Sequence, residues 1–259
     1  MSYKAKKSYG QHFLINENLA NKIADSAIAL NNKYPILEVG PGQGVLTKYL
    51  IKENSRFLAV EADIEMVEYL HDKFHGIEVN LIYKDFLKLD MENIFPEEEF
   101  IIFGNFPYNI STQIVFKMLE NYNRIPVLIG MFQKEVAERI IAPPGKKDYG
   151  ILSVLTQAYY TGSILFRIKP GSFNPPPKVD SAVIMLERKE NTNLGCNEKL
   201  FKSIVKITFN QRRKMIRNTL KGMIIDTNIF NDEFFNLRPE QLKLEDFIDL
   251  TNIIEQQKQ

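Results

Sequence analysis

"ILEVGPGQGVL", residues 36–46, carries the chain from an apolar strand into a helix through three glycines. Ile36-Leu37-Glu38-Val39 has strand character, Gly40, Gly42 and Gly44 make the turn, and Val45 opens a helical pattern. Glycine adopts φ values that L side chains resist and lets a ligand approach the main chain with no Cβ between. A strand that turns on glycines into a helix opens the βα unit of a nucleotide-type fold. Taken alone, three glycines also make an ordinary tight turn.

The pattern on either side favours the first reading. A helix with Leu19, Ile23, Ala27 and Leu30 inward leads into this strand, and a helix from Val45 to about Lys52 leads out of it. Strands at Phe57–Val60, Val79–Tyr83, Phe100–Phe103 and Val127–Met131 alternate with helices at Ile64–Phe74 and after Tyr108. Such alternation with short connections predicts a doubly wound, parallel α/β sheet with right-handed crossovers. Beyond it the pattern predicts helices at Glu135–Ile141 and Ile151–Tyr160, then two strands, Ile164–Ile168 and Ala182–Leu186, closing the sheet edge as a hairpin-like pair. The polar stretch "ERKENTNLGCNE" reads as a linker, and only helical periodicity follows it. The expected division is residues 1–190 and a small all-helical domain, residues 191–259.

In sheets of this kind ligands bind beyond the carboxyl ends of the strands, so the residues there are the candidates for chemistry. The spacing G-x-G-x-G is looser than the G-x-G-x-x-G of dinucleotide turns and suits the amino-acid and ribose parts of S-adenosylmethionine. Glu61 ends the second strand about 20 residues after the first glycine, where an acidic side chain accepts from ribose hydroxyls. Asp85 ends the third strand, placed to take the exocyclic amine of an adenine, with Phe86 as a ring contact.

The fourth strand runs into "GNFPYNIS", residues 104–111. Adenine N6 is a poor nucleophile because its lone pair is delocalised into the ring. A catalyst therefore accepts hydrogen bonds from the amine: the Asn105 side-chain carbonyl and the main-chain carbonyl of Phe106 or Pro107 suit this, and Tyr108 offers a face for an extruded base. As a plain loop, the same residues would only punctuate the chain, with Asn109 capping the next helix.

The totals bound the class. The 259 residues are 44% hydrophobic and 25% charged, ordinary for a globular protein. No stretch has the length of a membrane span and the N-terminus has no apolar block, which predicts a cytoplasmic protein with no membrane association. One cysteine, Cys196, excludes an intrachain disulfide and a thiolate metal cluster, and three histidines make catalytic zinc improbable, so no metal is expected. The net charge of +1 hides an asymmetry. Lys199, Lys202, Lys206, Arg212, Arg213, Lys214, Arg217 and Lys221 follow one another with no acid between, while Asp226 to Glu255 is acid-rich. Clustered cations are what binding to phosphates requires, although a solvated helix face has the same composition.

Together "YGQHFL", "EVGPGQG", "VEAD", "KDFL", "GNFPYNIS", "GSFNPPPKVDSAV" and "FNQRRKMIRNTL" resemble, in order and spacing, the KsgA-type 16S ribosomal RNA adenine N6,N6-dimethyltransferase family over nearly the whole chain. The resemblance implies a Rossmann-like class I S-adenosylmethionine-dependent methyltransferase fold. It implies that His12, Leu14, Gly40, Gly42, Glu61, Asp85 and Asn105 contact S-adenosylmethionine. It implies that Asn105, Pro107 and Tyr108 hold the target adenine, with Phe173 packed on the base opposite Tyr108. It further implies that Arg212, Arg213, Lys214 and Arg217 grip RNA phosphates, and that two adjacent adenines in the 3′-terminal hairpin of 16S rRNA are each dimethylated on a 30S subunit precursor late in assembly. Nothing demands more than a monomer. Two departures stand out: Phe106 where Leu is common, and Ser8-Tyr9 in place of a basic-aromatic pair. Erythromycin-resistance methyltransferases are the near alternative, and a DNA adenine methyltransferase finds no room for a target-recognition insert. A non-catalytic RNA-binding assembly factor would not need the retained site residues, and an NAD-dependent oxidoreductase fails on glycine spacing.

Overall fold

The computed structural model describes residues 12–257; Ser8-Tyr9 and the first half of "YGQHFL" lie outside them. The chain divides into two compact units: residues up to Ala137 with Gly162–Arg188, and Glu138–Thr161 with Lys189 onward.

The first unit is built on a sheet. Strand β1 (Phe13–Leu14) is followed by helix α1 (Glu17–Ile28), β2 (Ile36–Val39), α2 (Thr47–Lys52), β3 (Phe57–Glu61), α3 (Ile64–Lys73), β4 (Leu81–Tyr83), β5 (Ile101–Asn105), α4 (Ser111–Glu120), β6 (Val127–Gln133) and α5 (Lys134–Ile140). After α6 (Ile151–Tyr159) come β7 (Tyr160–Ile168), β8 (Phe173–Asn174) and β9 (Ser181–Arg188). The seven-stranded order is β4-β3-β2-β5-β6-β9-β7. The pairs from β4 to β6 are parallel and β9 runs antiparallel to β6. A separate two-stranded pair joins Leu14 to Phe173.

Local chemistry explains these elements. Asn16 caps α1 by accepting from the Leu19 amide at 3.1 Å, and the face behind it buries Ile23 with Ala20, Ala24 and Ala27, whose small side chains permit close packing. β5 has parallel partners on both sides and buries Ile101, Ile102 and Phe103 completely, as a strand covered on both faces must. Each such side chain contributes about 1.5–3 kcal/mol by leaving water. The core continues through Phe57, Ile129, Met131 and Val183.

Two strands differ from expectation. β4 begins at Leu81 rather than Val79, because Ile77–Asn80 forms a 3-10 turn tied down by the Asn80 amide donating to the Phe57 carbonyl at 2.7 Å. β7 starts at Tyr160, four residues before the first apolar position that suggested it, and lies at the sheet edge with β9 inside it.

The second unit contains α6, α7 (Glu198–Asn210), α8 (Ile216–Leu220) and α9 (Leu244–Gln256). The sequence reading draws the boundary at residue 190, and the last passage between units falls after Arg188; Glu138–Thr161, however, sides with the C-terminal helices. The reason is contact at a distance: the Gly145 amide donates to Glu240 at 2.7 Å, and the buried Tyr149 ring meets Phe209, which stacks on Phe247. Asn197 caps α7 and also donates to Glu255 near the end of α9 at 2.8 Å. In the acid-rich stretch, Asp226 and Asp232 serve as turn caps, accepting from Asn228 and Phe234 amides.

Candidate active site

One cavity of about 520 Å³ opens over the carboxyl ends of β2, β3, β4 and β5. His12, Leu14, Gly40, Gly42, Glu61, Asp85, Asn105, Pro107 and Tyr108 all line it, so nine of the expected residues converge from five separate segments.

The glycine turn needs its glycines. Gly40, Gly42 and Gly44 have φ of 69°, 53° and 69°, and a Cβ on Gly44 would stand 2.4 Å from the Phe74 ring and 2.9 Å from Leu70. Glu61 reaches back under this turn. Its Oε2 accepts from the Gly42 amide at 3.1 Å, and its Oε1 accepts from Ala62 and Asp63 amides at 2.8 and 2.9 Å. A carboxylate offers about four acceptor directions, so acceptor capacity remains beyond these three amides. Burial raises the Glu61 carboxyl above its ordinary pKa, and the three amides oppose that shift.

Asp85 lines the cavity and accepts from the Leu87 amide through Oδ1 at 2.9 Å. Phe86 beside it is 3% exposed and forms part of the lining.

The Asn105–Tyr108 part of the cavity is held by cross-connections. Asn105 donates from Nδ2 to the His12 carbonyl at 3.0 Å; a carbonyl can only accept, so the amide orientation is fixed and Oδ1 is the acceptor it offers. His12 Nδ1 lies 2.8 Å from the Pro175 carbonyl and must therefore carry its proton, while its ring stacks on Tyr108 with centroids 5.3 Å apart. Tyr108 Oη is 2.6 Å from Ser181 Oγ, and burial raises its phenol pKa, keeping it neutral.

Two expectations find a different placement. Phe173 is 3% exposed, belongs to the core beneath β1, and does not line the cavity; strand pairing with Leu14 turns its ring inward. Arg212, expected as a phosphate ligand, donates from Nε to Glu240 at 3.3 Å and from Nη2 to the Lys146 carbonyl at 3.3 Å, a strut within the helical unit. Arg213, Lys214 and Arg217 are exposed.

Some of the site was not foreseen. Glu38 is 1% exposed at the cavity floor, its Oε2 has no hydrogen-bond partner, and burial pushes its pKa up to about 8. Its signal in the sequence is a lone charge in the apolar strand "ILEV". Ser181 carried none, since its role depends on Tyr108, far away in the chain.

The lining suits S-adenosylmethionine: glycines without Cβ atoms, two carboxylates at strand ends, and a buried carboxyl with one unpartnered oxygen at the floor. Residues 2–256 match the model of the family described as ribosomal RNA adenine dimethylase. The chain belongs to that family. The dimethylase is an S-adenosylmethionine-dependent adenine methyltransferase. It is 53% identical over 253 residues to a ribosomal RNA small subunit methyltransferase A from Phocaeicola vulgatus, covering 97% of this chain and 90% of the relative. It is 45% identical over 258 residues to the protein of the same name from Porphyromonas gingivalis, covering 99% and 100%. Among solved structures, a dimethyladenosine transferase from Plasmodium falciparum superposes with a TM-score of 0.79 at 24% identity, covering 95% of this chain and 98% of the other. The 23S rRNA methyltransferase ErmE superposes with a TM-score of 0.69 at 25% identity, covering 95% and 100%. These bear out the doubly wound α/β sheet read from the strand–helix alternation and the class I methyltransferase fold that the family resemblance implied.

Proposed function

We propose that this dimethylase transfers methyl groups from S-adenosylmethionine to N6 of two adjacent adenines in the 3′-terminal hairpin of 16S rRNA, acting as a cytoplasmic monomer on a 30S precursor late in its assembly. The observation that carries this reading is the convergence of the glycine turn, Glu61, Asp85 and "NFPY" on one cavity, in a chain about half identical to small-subunit methyltransferases.

Bound there, S-adenosylmethionine supplies an already activated sulfonium methyl. The protein contributes alignment. Asn105 Oδ1 and the main-chain carbonyl in Phe106-Pro107 accept from the two N6 protons, drawing the nitrogen lone pair out of conjugation. Tyr108, braced by His12 and Ser181, gives the extruded base its stacking surface. The alkylated nitrogen is acidic and loses its proton without a dedicated base. Alignment of this kind is worth several kcal/mol of barrier. Arg213, Lys214 and Arg217 hold phosphates and position the RNA without reading its sequence.

The test is methyl transfer from labelled S-adenosylmethionine into undermethylated small subunits, large subunits and free DNA. Label confined to small subunits supports the proposal. Label in large-subunit RNA would place this chain with ErmE-like enzymes instead, and cofactor binding without transfer to any of the three would make it an RNA-binding factor.

A further inference from the structure

Lys117 stands on α4, the helix that follows "NFPY", and it does not line the cavity. Its ammonium donates to the main-chain carbonyls of Leu87 at 2.9 Å and Leu89 at 2.6 Å and lies 5.8 Å from the Phe86 ring centroid. These are the residues immediately after Asp85. Burial lowers the Lys117 pKa, and the nearby carboxylates of Glu120, Asp85 and Asp90 oppose that shift. A lysine desolvated against two carbonyls makes charge-assisted hydrogen bonds, stronger than neutral ones. The segment's own hydrogen bonds are short-range, the Asp85 carboxylate accepting from Leu87 and the Lys88 and Leu89 amides donating one turn back, and the Phe86 and Leu89 side chains are buried.

We infer that Lys117 is a positioning residue for cofactor binding: it clamps the Asp85–Leu89 segment onto the helix that carries the target-adenine loop, so that the cofactor's adenine subsite and the target loop are set by one rigid element. Arg124, after the end of α4, extends the same device, donating to the carbonyls of Met91, Glu92, Ile94, Phe95 and Glu98. Lys117 is distinct from it in gripping the part that lines the cavity. The inference rests on the reading of Asp85 as the adenine acceptor.

The experiment is calorimetric titration with S-adenosylhomocysteine, the product form of the cofactor, of the intact protein and of Lys117→Met, Lys117→Arg and Asp85→Ala, with melting temperatures recorded alongside. Lys117→Met keeps the apolar stem and removes the donors; its affinity is expected to fall about tenfold, the loss that one net charge-assisted hydrogen bond represents. Lys117→Arg is expected to recover most of it. Should Lys117→Met not fold, Lys117→Gln, which retains a donor for one carbonyl, is expected to show an intermediate loss. Asp85→Ala weakened with Lys117→Met within twofold of the parent, its melting temperature alone lowered, would overturn the inference and leave Lys117 a structural strut. Unchanged affinity in Asp85→Ala would overturn the reading of that loop and the inference with it.

Discussion

Asn105 takes its orientation from the main chain of His12, 3.0 Å away, and the His12 ring in turn stacks on Tyr108. The proposed acceptor for the target amine and the proposed stacking surface for the target base are thus held by one residue from the N-terminal segment. Replacing Asn105 with Ala is expected to lower turnover by about 10²–10³, the scale for losing a preorganised polar contact to the reacting group, with RNA affinity kept. Asp at this position sets a carboxylate oxygen against the His12 carbonyl and is expected not to rescue. Single-turnover methylation with filter binding measures both; normal turnover in Asn105→Ala would remove it from the chemistry.

Phe106, the departure from Leu, has a partner across the sheet. Its buried ring lies over Gly130 in β6, where an added Cβ would stand 2.0 Å from Cε2, and it meets Phe132 edge-on at 5.2 Å. Gly130→Ala alone is expected to cost about 1–3 kcal/mol by overpacking. Phe106→Leu makes room, so the double variant is expected to be more stable than the sum of the singles predicts, by at least about 1 kcal/mol. Urea unfolding of the four proteins gives the coupling; strict additivity would mean that the two residues are not matched.

That pairing shows what the chain could and could not reveal. Gly40, Glu61, Asp85 and Asn105 were legible because each stands at the end of an apolar strand, and parallel topology gathers strand ends at one edge. The roles of Gly130 and Ser181 were not, because their partners Phe106 and Tyr108 lie far off in the chain and become neighbours only on folding; Glu38 showed only as a lone charge in an apolar strand. Phe173 was a site aromatic only by the family resemblance, and the structure buries it where it pairs with Leu14. Glu138–Thr161 follows the same rule: no local pattern announces that a loop will dock on Glu240.

Glu38 gives the protein a pH dependence of known sign. Its folded pKa is raised to about 8, so between the ordinary carboxylate range and pH 8 the folded chain keeps a proton that the unfolded chain has released. Stability attributable to Glu38 is therefore fully present at acid pH and declines as pH rises through that window; Glu61, also raised, adds with the same sign. Glu38→Gln is expected to flatten the profile, with a melting temperature near the parent's at pH 5 and above it at pH 8. Parallel profiles would contradict the assignment.

The exposed cations predict a salt effect. Neutralising Arg213, Lys214 and Arg217 together is expected to weaken small-subunit binding and shrink the slope of log K against log salt by about 2, at roughly 0.7 for each phosphate contact on RNA. Affinity for S-adenosylhomocysteine should not move. An unchanged slope would make the run a solvated helix face.

The central claim is the product. Nucleoside mass analysis of the 3′-terminal fragment of 16S rRNA, taken from undermethylated small subunits incubated with the protein and S-adenosylmethionine, tests it most directly. The account predicts two adjacent N6,N6-dimethyladenosines in the hairpin loop. Monomethylated adenine as the end product, a single modified position, or an unmodified hairpin with dimethyladenosine elsewhere would contradict it.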